Sequence, residues 1–174
     1  MILQSEKVTL RPFIQEDIEV LHQWRNDEDL RFLALMHPYP VTMEQDQQWL
    51  SQVLNDTSNK NIFFASELNE TKELVGYVLL KDINLVNKHA FLGIIIGSQK
   101  HRGLGLGKEI VNLGLNYGFS MLGLKKISLE VLESNFTAIK LYSSLGFIKE
   151  GIFTDHFYFK GKWHNVLRMA YFYK

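Results

Sequence analysis

The sequence predicts an α/β fold: a mixed sheet in an α+β or three-layer α/β/α arrangement. Three observations carry this. Helical and strand patterns alternate through the second half of the chain. Strand patterns follow one another without helices between residues 62 and 96. The run Phe91-Leu92-Gly93-Ile94-Ile95-Ile96 is apolar on consecutive positions, the signature of a strand buried on both faces. The chain has 174 residues, one domain's worth, so residues 1–174 are expected to form a single unit.

The elements follow in order. Val8-Thr9-Leu10-Arg11 alternates like a strand and stops at Pro12. Glu16 and Asp17 open a helix whose Ile18, Leu21 and Trp24 share a face. Pro38 and Pro40 flank Tyr39, so 37–41 reads as a rigid loop. Thr42 and Gln45 form a capping box for a second helix, with Trp49, Leu50, Val53 and Leu54 inward and Asn55-Asp56 as its end. Strands are expected at Ile62–Ala65, Leu74–Ile83 and Ala90–Ile96, the first two joined by a turn at Glu70-Thr71-Lys72. A helix from about Gly105 to Met121, a strand Ile127–Val131, a helix Asn135–Leu145 and strands near Phe147–Thr154 and His164–Tyr173 complete the chain.

Composition excludes several classes. The chain is 46% hydrophobic, too apolar for disorder. It has no cysteine, hence no disulfide, thiolate metal site or cysteine nucleophile. His37, His156 and His164 show no metal spacing, and no metal is expected; His101 reads as a solvent-exposed loop residue. A net charge of zero argues against a nucleic-acid partner. No apolar run approaches the ~20 residues of a membrane span, and the first residues lack a signal-peptide layout, so a cytoplasmic location is expected. The zero hides an asymmetry. Residues 13–56 hold nine acids against Arg25 and Arg31, a net of −7, while the remainder carries +7. This arm is either a solvated helical face or an acidic wall beside a site for a cationic substrate.

Eight of the twelve glycines lie in 93–123, densest in Arg102-Gly103-Leu104-Gly105-Leu106-Gly107-Lys108. Glycines there let backbone approach a ligand, and the following helix presents free N–H groups and a partial positive charge. The combination is an anion cradle suited to a pyrophosphate, with Arg102 and Lys108 adding charge-assisted contacts. Spacing separates three motifs. A P-loop fails because Arg102 stands where the first glycine belongs and Glu109 replaces the hydroxyl. A dinucleotide fingerprint has its third glycine one residue early, although Glu133 imitates the ribose-binding acid. The pattern Arg/Gln-x-x-Gly-x-Gly fits at Arg102, Gly105 and Gly107. A plain strand-to-helix turn with small residues for packing is the alternative.

A second block sharpens the choice. Asn135-Phe-Thr-Ala138-Ile-Lys-Leu141-Tyr142-Ser-Ser-Leu145-Gly146-Phe147 is a helix with Asn135 as N-cap and Gly146 as C-cap. The glycine loop, a strand and this helix, in this order and about 30 residues apart, resemble the GNAT superfamily of acyl-CoA-dependent N-acetyltransferases. The branch it resembles holds ribosomal-protein alanine, spermidine and amino-sugar acetyltransferases. The resemblance implies a GNAT-like three-layer domain whose central mixed sheet splays between the strand ending at Ile96 and the strand 127–131. It implies acetyl-CoA as co-substrate, held by Ile94, Ile95, Ile96, Arg102, Gly103, Leu104, Gly105, Leu106, Gly107, Lys108, Asn135 and Tyr142. It implies Tyr142 as the acid for the leaving thiolate. Glu130, between Leu129 and Val131, matches a glutamate that serves as general base in the ribosomal alanine enzymes; an outward-facing strand glutamate is the alternative. The expected acceptor is a primary amine of a small molecule, an amino-sugar nucleotide or a polyamine, met by Arg25, Asp27, Glu28 and Arg31. N-terminal acetylation of a protein and a non-catalytic acetyl-CoA sensor stay open, and a homodimer is a family expectation.

Overall fold

The computed structural model describes residues 3–173. Eight strands form one sheet: β1 (Leu3–Gln4), β2 (Val8–Arg11), β3 (Ile62–Leu68), β4 (Leu74–Asn84), β5 (His89–Ile96), β6 (Lys126–Leu132), β7 (Ile148–Phe159) and β8 (Lys162–Phe172). The helices are α1 (Ile18–Asn26), α2 (Glu28–Leu33), α3 (Met43–Leu54), α4 (Leu106–Ser120) and α5 (Phe136–Leu145). Strand order is β1-β2-β3-β4-β5-β6-β8-β7, antiparallel throughout except for β5 beside β6.

Helices cover both faces. On one, Leu106, Ile110, Val111 and Leu115 of α4 meet Val78 and Leu80 of β4, Ala90 and Leu92 of β5, and Ile127 and Leu129 of β6. On the other, Leu21 and Trp24 of α1, Leu30 of α2 and Leu50 of α3 meet Ala65, Tyr77 and Ile95. The period-2 alternation of the strands sends neighbours to opposite cores. The predicted α/β/α layering is thus borne out.

Two elements escape the sequence reading. The two-residue strand β1 is too short to show alternation. Helix α2 is a six-residue turn nucleated by Asp27, whose side chain accepts the Leu30 N–H at 2.8 Å. Leu54, expected inward, is exposed because it lies at the last turn of α3, beyond the sheet. β5 is not buried on both faces along its length: Ile94 and Ile96 are only half-buried. The reason is a gap. β5 pairs with β6 only from His89 to Phe91, against Lys126 to Ser128, and from there the two strands part. The splayed sheet implied by the family resemblance is present, and beyond Phe91 β5 has no strand partner on that side among the described residues.

Candidate active site

The gap opens into a cavity of about 520 Å³. Its walls are Ile94, Ile95 and Ile96, the loop residues Arg102, Gly103 and Gly105, the start of α4, and Asn135, Ala138, Leu141 and Tyr142. Every residue expected to hold the coenzyme lines it except Leu104, whose side chain points to solvent and is 53% exposed.

The loop geometry follows from its glycines. Gly103 has φ +75° and Gly105, the N-cap of α4, has φ +82°, a region that costs an L-residue roughly 1–2 kcal/mol. A Cβ on either would meet no protein atom within 4 Å, so both backbones border open space. Gly107 differs: a Cβ there would lie 3.2 Å from Leu141, so it serves helix packing instead. None of the amides of residues 103–107 donates a hydrogen bond to protein among the described residues. Free amides at a helix start, with Arg102 and Lys108 beside them, suit a phosphate group. The unpaired edge of β5 suits an extended chain of amides. The cavity therefore fits a coenzyme with a pyrophosphate and a pantetheine arm.

Tyr142 stands at the junction of cradle and gap. The capping oxygen of Asn135 accepts the Ala138 N–H at 3.2 Å and starts α5, and Gly146 in the left-handed region ends it. Tyr142 packs against Phe147 with the rings tilted at 58° and their centroids 5.7 Å apart. Burial pushes its phenol up to about 12. The hydroxyl therefore stays protonated, a donor, through the neutral range.

His101 corrects an expectation. It is 7% exposed, lines the cavity, and has Nε2 3.5 Å from Glu73. The short helical turn Gln99–His101 folds it under the loop, which the sequence pattern did not show.

Glu130 does not line the cavity. It projects from β6 on the α1–α3 face, and its Oε1 accepts from Arg168 Nη2 at 2.6 Å. The Arg168 guanidinium lies 4.9 Å from the ring centroids of both Phe91 and Phe153. The four residues expected to meet the acceptor have structural partners instead. Arg25 Nε donates to Asp46 Oδ1 at 2.5 Å and stacks 4.3 Å over Trp49. Asp27 caps α2. Glu28 pairs with Lys160 at 2.7 Å, and Arg31 donates to the Pro38 carbonyl at 3.3 Å. None of the four lines the cavity. Leu30, Leu33 and Ala34 do, and these were missed. The i, i+3 spacing of Leu30 and Leu33 after the Asp27 cap was the available signal, lost inside a charged segment.

Comparison with known proteins agrees with this geometry. The acetyltransferase (GNAT) domain family model matches residues 7–148. Spermidine N(1)-acetyltransferase of Escherichia coli K12 is 33% identical over 172 residues, spanning 97% of this chain and 87% of that one. The crystal structure of spermidine N-acetyltransferase from Vibrio cholerae in complex with CoA and spermine superposes with a TM-score of 0.89. It is 29% identical and covers 97% of this chain and 96% of that one. A dodecameric structure of the same V. cholerae enzyme in an intermediate state gives 0.81 at 29% identity, covering 97% and 95%. With the glycine cradle, the parted strands and the buried tyrosine in place, the chain belongs to the GNAT family of acetyltransferases, enzymes that move an acetyl group from acetyl-CoA to an amine.

Proposed function

We propose that this chain, as a single domain over residues 1–174, acetylates a primary amine of a polyamine of the spermidine class. The observation that carries this is the likeness to spermidine acetyltransferases over nearly the full length of both chains. The charge distribution supports it. Arg25, which would meet the phosphates of an amino-sugar nucleotide, is bonded to Asp46 and stacked on Trp49. Glu16, Glu19 and Asp29 make no ion pair among the described residues, so the arm keeps an acidic surplus.

The thioester supplies the acetyl group and its thiolate is the leaving group. The chain's residues do the rest. Amides of residues 103–107 with Arg102 and Lys108 anchor the pyrophosphate. The free edge of β5 orients the pantetheine arm, and an amide near Ile95 faces the carbonyl oxygen as negative charge develops there. As the acceptor nitrogen forms its bond to the acetyl carbon and the carbon–sulfur bond breaks, Tyr142 gives its proton to the departing sulfur. The amine proton leaves on the α1–α3 face, where Glu130 takes it through water with its unbonded oxygen. Arg168 Nη2, donating to the other oxygen at 2.6 Å, holds that carboxylate in place. Self-association follows the oligomeric habit of the V. cholerae relative.

Thiol release from acetyl-CoA tests the reading, with spermidine, spermine, an amino-sugar nucleotide and an alanine-terminated peptide as acceptors. Turnover is expected with the polyamines. Turnover with the nucleotide or the peptide alone would overturn the polyamine assignment, and coenzyme binding without turnover on any amine would favour a sensor.

A further inference from the structure

The glycine loop has an outside as well as an inside. The turn between β1 and β2, Ser5-Glu6-Lys7, lies against its outer surface. Asn69 holds that turn from one side: its Nδ2 donates to the carbonyls of Ser5 and Glu6 at 3.0 and 2.9 Å, and its own N–H donates to the Lys7 carbonyl at 2.9 Å. Glu109, in the first turn of α4, holds it from the other. Its Oε2 accepts from Ser5 Oγ at 2.6 Å and from the Lys7 N–H at 2.9 Å. Residues from the chain start, the β3–β4 hairpin and α4 thus fix where the Lys7 side chain begins.

From that platform Lys7 Nζ donates to the Leu104 carbonyl at 3.2 Å. Neither Lys7 nor Leu104 lines the cavity, whereas Gly103 and Gly105 on either side of Leu104 do. A trans peptide is planar, so its C=O and the following N–H point in opposite directions. The Leu104 carbonyl directed outward to Lys7 places the Gly105 N–H on the inward side. Gly105, in the left-handed region, follows this peptide, and Gly103, also left-handed, precedes Leu104, so two permissive residues bracket the Leu104–Gly105 unit and little else stops it from rotating.

We propose that Lys7 is a positioning residue for the coenzyme cradle: by holding the Leu104 carbonyl on the outer surface it turns the Gly105 N–H toward the pyrophosphate. This rests on assigning the cavity to acetyl-CoA. Lys7→Met keeps the length of the side chain and removes the donor. Calorimetry with CoA is expected to show affinity about 3- to 10-fold weaker, the worth of one oriented hydrogen bond, with an unchanged melting temperature. The loss should persist at about 0.5 M salt, where exposed charges are screened, and Lys7→Arg should restore binding. With S-acetylpantetheine, which has no phosphate, kcat/KM should be unaltered. An unchanged CoA affinity overturns the proposal. So does a loss that vanishes at high salt, which would mean simple charge attraction, or an equal loss with S-acetylpantetheine. A wild-type protein that binds no CoA would overturn the coenzyme assignment itself.

Discussion

The coenzyme side and the acceptor side of the parted sheet are built on different principles. On the coenzyme side the groups proposed to work are mainly backbone amides, with Arg102, Lys108 and one tyrosine, drawn from two short stretches, 94–108 and 135–142. On the proposed acceptor side the candidates are charged side chains drawn from β2, the α1–α3 segment, β6 and β8, and the most prominent ones are engaged with each other. Asp46 is fully buried beneath His22 and Arg25, Asp17 holds Arg11, and Glu130 holds Arg168. Backbone recognition survives sequence change because any residue but proline supplies an N–H donor. Side-chain recognition competes with every internal ion pair, so charge in the sequence does not translate into charge at the site.

The largest effect should come from breaking the backbone side. Gly105→Val forces a β-branched residue to φ +82°. The loop must rearrange, and CoA binding by calorimetry should be lost while circular dichroism stays native. Retained affinity in a folded variant would show that the cradle tolerates a different loop path.

Tyr142→Phe comes next. It keeps the packing against Phe147 and removes the donor, so turnover should fall roughly 10²–10⁴-fold with coenzyme affinity unchanged. A fall below threefold would leave Tyr142 as a packing residue. The same phenol has a stability signature. Its pKa, and that of Tyr77 on the opposite face, is raised by burial to about 12, above the 10.0 of a free tyrosine. A raised pKa means that the folded state holds the proton more tightly. This stabilisation is therefore complete below pH 10 and is lost as pH rises toward 12. Melting temperature should decline across that window, and less steeply in Tyr77→Phe, Tyr142→Phe and above all in the double variant.

On the acceptor side the first expected effect is on stability. Asp46→Ala leaves Arg25 and His22 without their buried partner and should cost about 3–5 kcal/mol by denaturant unfolding. A loss below about 1 kcal/mol would mean that solvent replaces the carboxylate at little cost.

The smallest effect is expected from the exposed acids. Glu28→Gln and Asp29→Asn together should raise KM for spermidine by about twofold at physiological salt and less at high salt. A tenfold rise would place the polyamine against α2 and bring the two sides of the site closer in kind.

The difference between the two sides also governs what the chain's order of residues could reveal. Asn135 with Gly146 marks both ends of α5, and Gly103 with Gly105 marks two backbone conformations that other residues resist. These are local demands of dihedral angle and capping, met within a few residues, so the α/β class, the conformation of the glycine loop and the capped helix that carries Tyr142 were all legible in the sequence. The positions of His101, Leu30 and Leu33 at the cavity were not, nor were the partners of Arg25, Asp27 and Glu28. Each depends on which distant segment lies alongside: Asp46 reaches Arg25 across 21 residues and Arg168 reaches Glu130 across 38. Local conformational preference is written residue by residue. The pairing of charges, the parting of β5 from β6 and the hold of Lys7 on the Leu104 carbonyl across 97 residues arise only when the sheet brings remote strands together, and that was decided by the tertiary structure.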